Sequence, residues 1–151
     1  MPENATPASD ADLGGEAPCY AHLQAQIHGD ISGRSDVEDL MRDFFRQASM
    51  DDLLGPVFTA ANVEWQIFLP KLADFWMWQL YGQRDYQGTP LRAHEASHAR
   101  TPFTEAHFRR WFDLFDSAVD EQFSGPIAEK AKHRAHKMGD AMHRVLGVAR
   151  T

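Results

Sequence analysis

Between Phe44 and Phe123 this chain places 16 of its 17 aromatic side chains, many of them on segments whose apolar residues recur every three or four positions. Aromatic side chains bury roughly 150–250 Å² each, so this interval has to fold around a core. The i, i+3, i+4 rhythm makes it a core between helices. A chain of 151 residues is long enough to bury roughly 70% of its unfolded surface in one domain. No segment shows the two-residue alternation of a half-buried strand, and no repeat recurs at solenoid spacing. The expected class is all-α.

The helices can be placed from their breakers. Residues 1–34 are rich in Ala, Pro, Gly and acidic residues and poor in large apolar ones, so burial cannot offset the entropy of ordering them. They read as a flexible tail preceding a domain over 35–147. Ser35-Asp-Val-Glu38 matches an S-x-x-E capping box, and Val37, Leu40, Met41, Phe44, Phe45 and Ala48 then trace one helical face. Leu53-Leu-Gly-Pro56 breaks that helix. A second runs from about Asn62 to Tyr81, where Pro70 predicts a kink or a restart. Thr89-Pro90 reads as an N-cap with proline at the first helical position of a short helix. Thr104 caps a fourth helix, with the stripe Phe108, Trp111, Phe112, Phe115, Val119 and Phe123. Gly125-Pro126 ends it and opens a fifth.

Charge and cysteine content narrow the function. With 22 acidic against 15 basic residues the net charge is −7, which argues against a nucleic-acid partner, because phosphate contacts need clustered Lys and Arg. An anionic membrane surface is disfavoured for the same reason, and no apolar run approaches a membrane span. The only cysteine, Cys19, excludes an intrachain disulfide framework and Cys-rich zinc sites. The first residues have neither a basic nor an apolar signal region. A cytoplasmic protein is expected.

Two motifs carry chemistry. His94-Glu-Ala-Ser-His98 matches H-E-x-x-H, in which two imidazoles one turn apart hold zinc. It lies on a short segment without the third histidine of the extended motif, and Glu121 is the nearest candidate third ligand. The aromatic density is the second signal. Helices with Phe and Trp on nearly every inward position would overfill a small bundle unless something large and flat separated them. A planar macrocycle such as haem is such a guest, and a helical histidine is its usual axial ligand. His133 and His136, in a Lys/Arg-rich stretch, read as a solvated face.

In order along the chain come Leu40-Met-x-x-Phe44, Leu54-Gly-Pro-Val-Phe58, Trp65-x-x-x-Leu-Pro70 with Asp74-Phe-Trp76, Tyr86-x-Gly-x-Pro-Leu-x-x-His94, His107-Phe-x-x-Trp111-x-x-Leu-Phe115 and Phe123-x-Gly-Pro126. From about Val37 to Leu146 the chain thereby resembles the truncated haemoglobins, specifically their third group. The resemblance implies a shortened globin fold, a two-over-two helical sandwich around one haem b that binds diatomic gases. It places His94 at the proximal iron ligand, with His98 one turn on as the alternative. Trp111, Leu72 and Phe75 fall on the distal lining and Trp76 beside them, while Lys71, and more weakly Arg92, are placed to meet a haem propionate. A reductase is the further partner such a resemblance would allow.

At two positions the chain departs from the family, which typically carries a distal Tyr and a distal His where this sequence has Phe45 and Phe68. Bound dioxygen carries partial negative charge on its outer oxygen, and Phe offers it no donor. Each lost hydrogen bond weakens retention by roughly 0.5–1.5 kcal/mol, leaving the Trp111 indole N–H as the remaining donor. The expectation is weaker oxygen retention and relative favour for carbon monoxide or nitric oxide. The alternative is a haem enzyme turning over nitric oxide or peroxide, or, had the two phenylalanines been engineered, a carbene transferase.

Overall fold

The apolar face of Val37, Leu40, Met41, Phe44, Phe45 and Ala48 is buried along α1 (Arg34–Met50) in the computed structural model, which describes residues 28–88 and 90–148. Five further helices follow among the described residues, with no strand: α2 (Gly55–Ala61), α3 (Trp65–Tyr81), α4 (Pro90–Arg100), α5 (Glu105–Gln122) and α6 (Pro126–Val145). Helix α1 packs on α3 and on α5, α5 on α6, and α6 returns to α3. Two pairs of long helices therefore enclose one core, the two-over-two sandwich. Its centre is Phe44 with Phe115, whose rings meet edge to face at 5.2 Å.

Local chemistry moves several boundaries. Ser35 does not cap α1. The cap lies two residues earlier, at Gly33, whose carbonyl accepts the Val37 N–H. Glu38 is taken by the Arg34 guanidinium at 2.8 Å, and the reaching-back carboxylate is that of Asp36, which accepts the Ser32 N–H and hydroxyl at 2.8 and 2.7 Å. The Gly55-Pro56 pair begins a helix as well as ending one, because a proline in the first turn has no intrahelical donor to lose. Gly55 is required there: a Cβ would lie 2.7 Å from the Ser49 carbonyl oxygen. Helix α3 does not restart at Pro70, whose carbonyl accepts from Arg34. The expected cap at Thr89 lies outside the described residues.

Of the interval 1–34, residues 1–27, with Cys19, also lie outside the described residues. Residues 28–33 are bound to both helix pairs. Ile31 is buried, and its carbonyl accepts the Tyr81 hydroxyl at 2.8 Å. The Asp30 carboxylate accepts the N–H groups of Ile127 and Ala128 at 2.8 and 2.7 Å, so α6 is capped by a residue almost a hundred positions away. Gly125, at φ 147°, brings the chain so close to Asp30 that a Cβ would sit 2.6 Å from the carboxyl carbon. No described helix is long and apolar enough to cross a membrane.

Candidate functional site

Two of the residues singled out by sequence, Phe68 and Lys71, lie on one crevice between α3 and α4, whereas His94 is on α4 but not among the residues that wall it. A cleft of about 360 Å³ opens there, walled by Ala61, Val63 and Glu64 at the α2–α3 corner, Ile67, Phe68 and Lys71 of α3, and Ala93, Ala96, Ser97 and Arg100 of α4. Positions 93, 96, 97 and 100 share one helical face, so three small side chains and Arg100 make up the wall on α4. Helix α4 buries no residue, and its principal neighbour is the short α2.

The two histidines of the H-E-x-x-H match are in different chemical states. His94 is exposed, and its Nδ1 lies 2.6 Å from the Pro90 carbonyl oxygen. A carbonyl can only accept, so Nδ1 carries a proton, and in the neutral ring the lone pair is then on Nε2. His98 is the reverse: its Nδ1 accepts the Phe103 N–H at 2.8 Å, which leaves the proton of the neutral ring on Nε2. Among the described residues no group of three or more His, Cys, Asp or Glu side chains is disposed to hold a metal ion, so the zinc reading has no third ligand there.

Above the cleft stands a box of four rings. Phe45, which is 7% exposed, contacts Phe58 at 5.7 Å, Trp65 at 5.8 Å and Phe68 at 5.5 Å, and Trp65 touches both Phe58 and Phe68 at 5.7 Å. Most of these are edge-to-face contacts, each worth about 0.5–1.5 kcal/mol beyond the area it buries. None of the four presents an acid or a base. Behind the box, Trp111 stacks on Phe115 at 5.3 Å and Phe115 on Trp76 at 5.2 Å.

Of the residues expected at a cofactor, Phe68 and Lys71 line the cleft directly. Leu72, Phe75 and Trp111 are half-buried against the core and are not on the cleft wall. Trp76 is buried behind them on Phe115, in a supporting layer and not on the cleft wall. Arg92 is exposed and outside the wall, whereas Arg100, which the sequence does not single out, lies on it. The signal for Arg100 is its register, seven residues after Ala93. Tyr86 packs edge-on to Phe75 at 5.2 Å and stacks on Trp78, and burial pushes its phenol above the ordinary value. Gly88 lets it do so, since a Cβ there would lie 2.5 Å from the hydroxyl oxygen.

A two-over-two helical sandwich with a crevice between its third and fourth helices is the architecture of a globin of the shortened kind. A family model of bacterial-like globins matches residues 26–145, and the chain belongs to that family. It is 28% identical over 119 residues to the group 3 truncated hemoglobin of Campylobacter jejuni, covering 74% of this chain and 91% of that protein. The crystal structure of the group III truncated hemoglobin from the same organism superposes with a TM-score of 0.70 at 24% identity, over 80% of this chain and 95% of that one. Haem binding comes with membership of the globins.

Proposed function

We propose that the α3–α4 crevice holds haem b with His94 as the iron ligand, and that the protein binds diatomic gases at an apolar distal face that favours ligands needing little polar support. The observation that carries this is the His94 Nδ1 contact with the Pro90 carbonyl at 2.6 Å, which presets the tautomer and leaves Nε2 as the ligating atom. His98 is the poorer candidate because the Phe103 amide consumes its lone pair. The residues present fit the group: apolar walls for a macrocycle, and Lys71 and Arg100 on the same cleft as cations for its carboxylates, with Arg92 further out.

When bound, haem b supplies an iron that takes up small gases reversibly. This chain's own contribution is to exclude water and withhold donors. Phe45 and Phe68 occupy positions from which a hydroxyl or imidazole would donate, and the Trp111 indole N–H is the one side-chain donor assigned to that side. They also hold no proton to transfer, so peroxide turnover lacks a side-chain acid or base there. With one cysteine in the chain, a cytoplasmic setting and a reductase as partner suit this reading.

The test is spectral. Haem-reconstituted protein is expected to show a Soret band that shifts on addition of carbon monoxide to the ferrous form. His94→Ala should abolish the proximal-histidine signature and His98→Ala should preserve it. The opposite pattern would move the ligand to His98, and no Soret band in the parent protein would end the proposal.

A further inference from the structure

All four tryptophans of the chain stand on one continuous series of rings that starts at the crevice and ends at the surface. Phe68 lines the cleft and meets both Trp65 and Phe45. Phe45 meets Phe44 at 4.8 Å, and Phe44 meets Trp111 at 5.5 Å. From there Trp111 stacks on Phe115 and Phe115 on Trp76, with interplanar angles of 10° and 22°. Phe75 touches Trp76 at 5.8 Å, Trp78 at 5.9 Å and Tyr86 at 5.2 Å. Trp78 then stacks on Tyr86 at 6.1 Å, the longest link in the series.

The kinds of ring and their order matter chemically. Indole and phenol give up an electron far more readily than phenyl, so the phenylalanines are the medium and the tryptophans the stations. Phe45 and Phe44 separate Trp65 from Trp111, Phe115 separates Trp111 from Trp76, and Phe75 separates Trp76 from Trp78. The outer half of the series also runs from a shielded station to an open one: Trp76 is 3% exposed and Trp78 43%. Only at that open end can an indole N–H or a phenol O–H, once its ring has lost an electron, pass its proton directly to water. Neither Trp78 nor Tyr86 belongs to the buried core, so packing of that core does not account for the far end of the series.

We propose that these rings form an electron relay that leads oxidising equivalents left in the crevice by hydrogen peroxide out to Trp78 and Tyr86. The inference rests on the reading of the crevice as a haem site, because the haem is what would react with peroxide there. Hydrogen peroxide takes up two electrons and two protons as its O–O bond breaks and two O–H bonds form, giving two waters. Each electron moves inward from ring to ring and is supplied in the end by Trp78 or Tyr86. The indole N–H or phenol O–H that supplied it releases one proton to solvent and leaves a neutral radical on that ring, and solvent returns the protons consumed. The oxidised side chains are then at the surface, and the core is spared.

The experiment treats the haem-loaded full chain, in its ferric form, with equimolar hydrogen peroxide and a nitroso spin trap, and maps the marked rings by peptide mass spectrometry. Adducts are expected on Trp78 and Tyr86. Tyr81 is an internal control: at 37% exposed it is more open than Tyr86, its hydroxyl is bonded to the Ile31 carbonyl, and among the described residues its ring joins none of the series. Attack from solution would mark Tyr81 at least as heavily as Tyr86, whereas the relay leaves it unmarked. Trp76→Phe removes the buried station and leaves the surface as open as before, so the adducts on Trp78 and Tyr86 should be lost. In Trp78→Phe/Tyr86→Phe, whose changes lie outside the core, oxidation should back up onto Trp76. Surface adducts that persist in Trp76→Phe, an unmarked Trp76 in the double variant, or Tyr81 marked as heavily as Tyr86 in the parent would each overturn the relay. A normal Soret band with Trp78 and Tyr86 unmarked overturns the relay alone; no Soret band overturns the proposed function and the relay with it.

Discussion

Phe68 is the residue at which ligand choice can be tested with least disturbance, because it is half-buried on the cleft wall whereas Phe45 is enclosed on every side by rings. A tyrosine at 45 would have to fit its hydroxyl among Phe44, Phe58, Trp65 and Phe68, so its effects on packing and on the ligand would be mixed. Phe68→His adds a donor at a more open position. It is expected to slow dioxygen release by about tenfold, the value of one hydrogen bond, with carbon monoxide release changed much less; stopped-flow displacement on haem-loaded protein measures both, and equal effects on the two gases would count against an apolar distal face. The two phenylalanines stand out in the sequence because they interrupt an otherwise ordered set of landmarks. Arg100 does not, since an arginine at the end of a polar helix has no pattern of its own until the wall it shares with Ala93, Ala96 and Ser97 is seen. The tautomers of His94 and His98 were equally hidden, because they are fixed by the Pro90 carbonyl and the Phe103 amide and not by residue type.

At the scale of elements, the long helices followed from apolar spacing, and the errors fell at their ends. Helix α2 has seven residues, too few for a periodic stripe, and its Gly-Pro start is indistinguishable in sequence from a stop. Ser35 and Glu38 had the spacing of a capping box, but the competing Arg34 guanidinium took the glutamate. The cap supplied to α6 by Asp30 could not be read at all, being a contact between segments distant in sequence. It satisfies two of the four orphan donors that open any helix. Asp30→Ala should therefore lower stability by about 1–2 kcal/mol, the range for a lost N-cap, read as a shift in urea midpoint. A midpoint unmoved by the substitution would show that water replaces the carboxylate without cost.

For the whole molecule, acid sensitivity has an identifiable contributor. The Asp51 side chain, 6% exposed, ties the α1–α2 corner to α5 through Arg110 at 2.7 Å and accepts the Leu53 and Leu54 N–H groups at 3.0 Å. Burial alone would push its carboxyl up; the Leu54 N–H, the Arg110 guanidinium and the Leu53 N–H outweigh that and hold it below the ordinary value. The folded state thus keeps Asp51 ionised at acidities where the unfolded chain protonates it. Its contribution is complete above the ordinary aspartate value of about 3.9 and disappears as pH falls through the lower folded value. Asp51→Asn should be less stable than the parent at neutral pH, and the gap in urea midpoint should narrow toward about pH 3; a gap of constant size would remove Asp51 from the acid response. The contrast with α4 is informative. That helix forms one wall of the crevice yet contributes no side chain to the core, so replacing Ala93, Ala96 or Ser97 reshapes the wall without opening a void beneath it. Changes in what the crevice admits can accumulate by single steps there without eroding the fold, which makes this wall the natural place for selection, or a designer, to revise the chemistry.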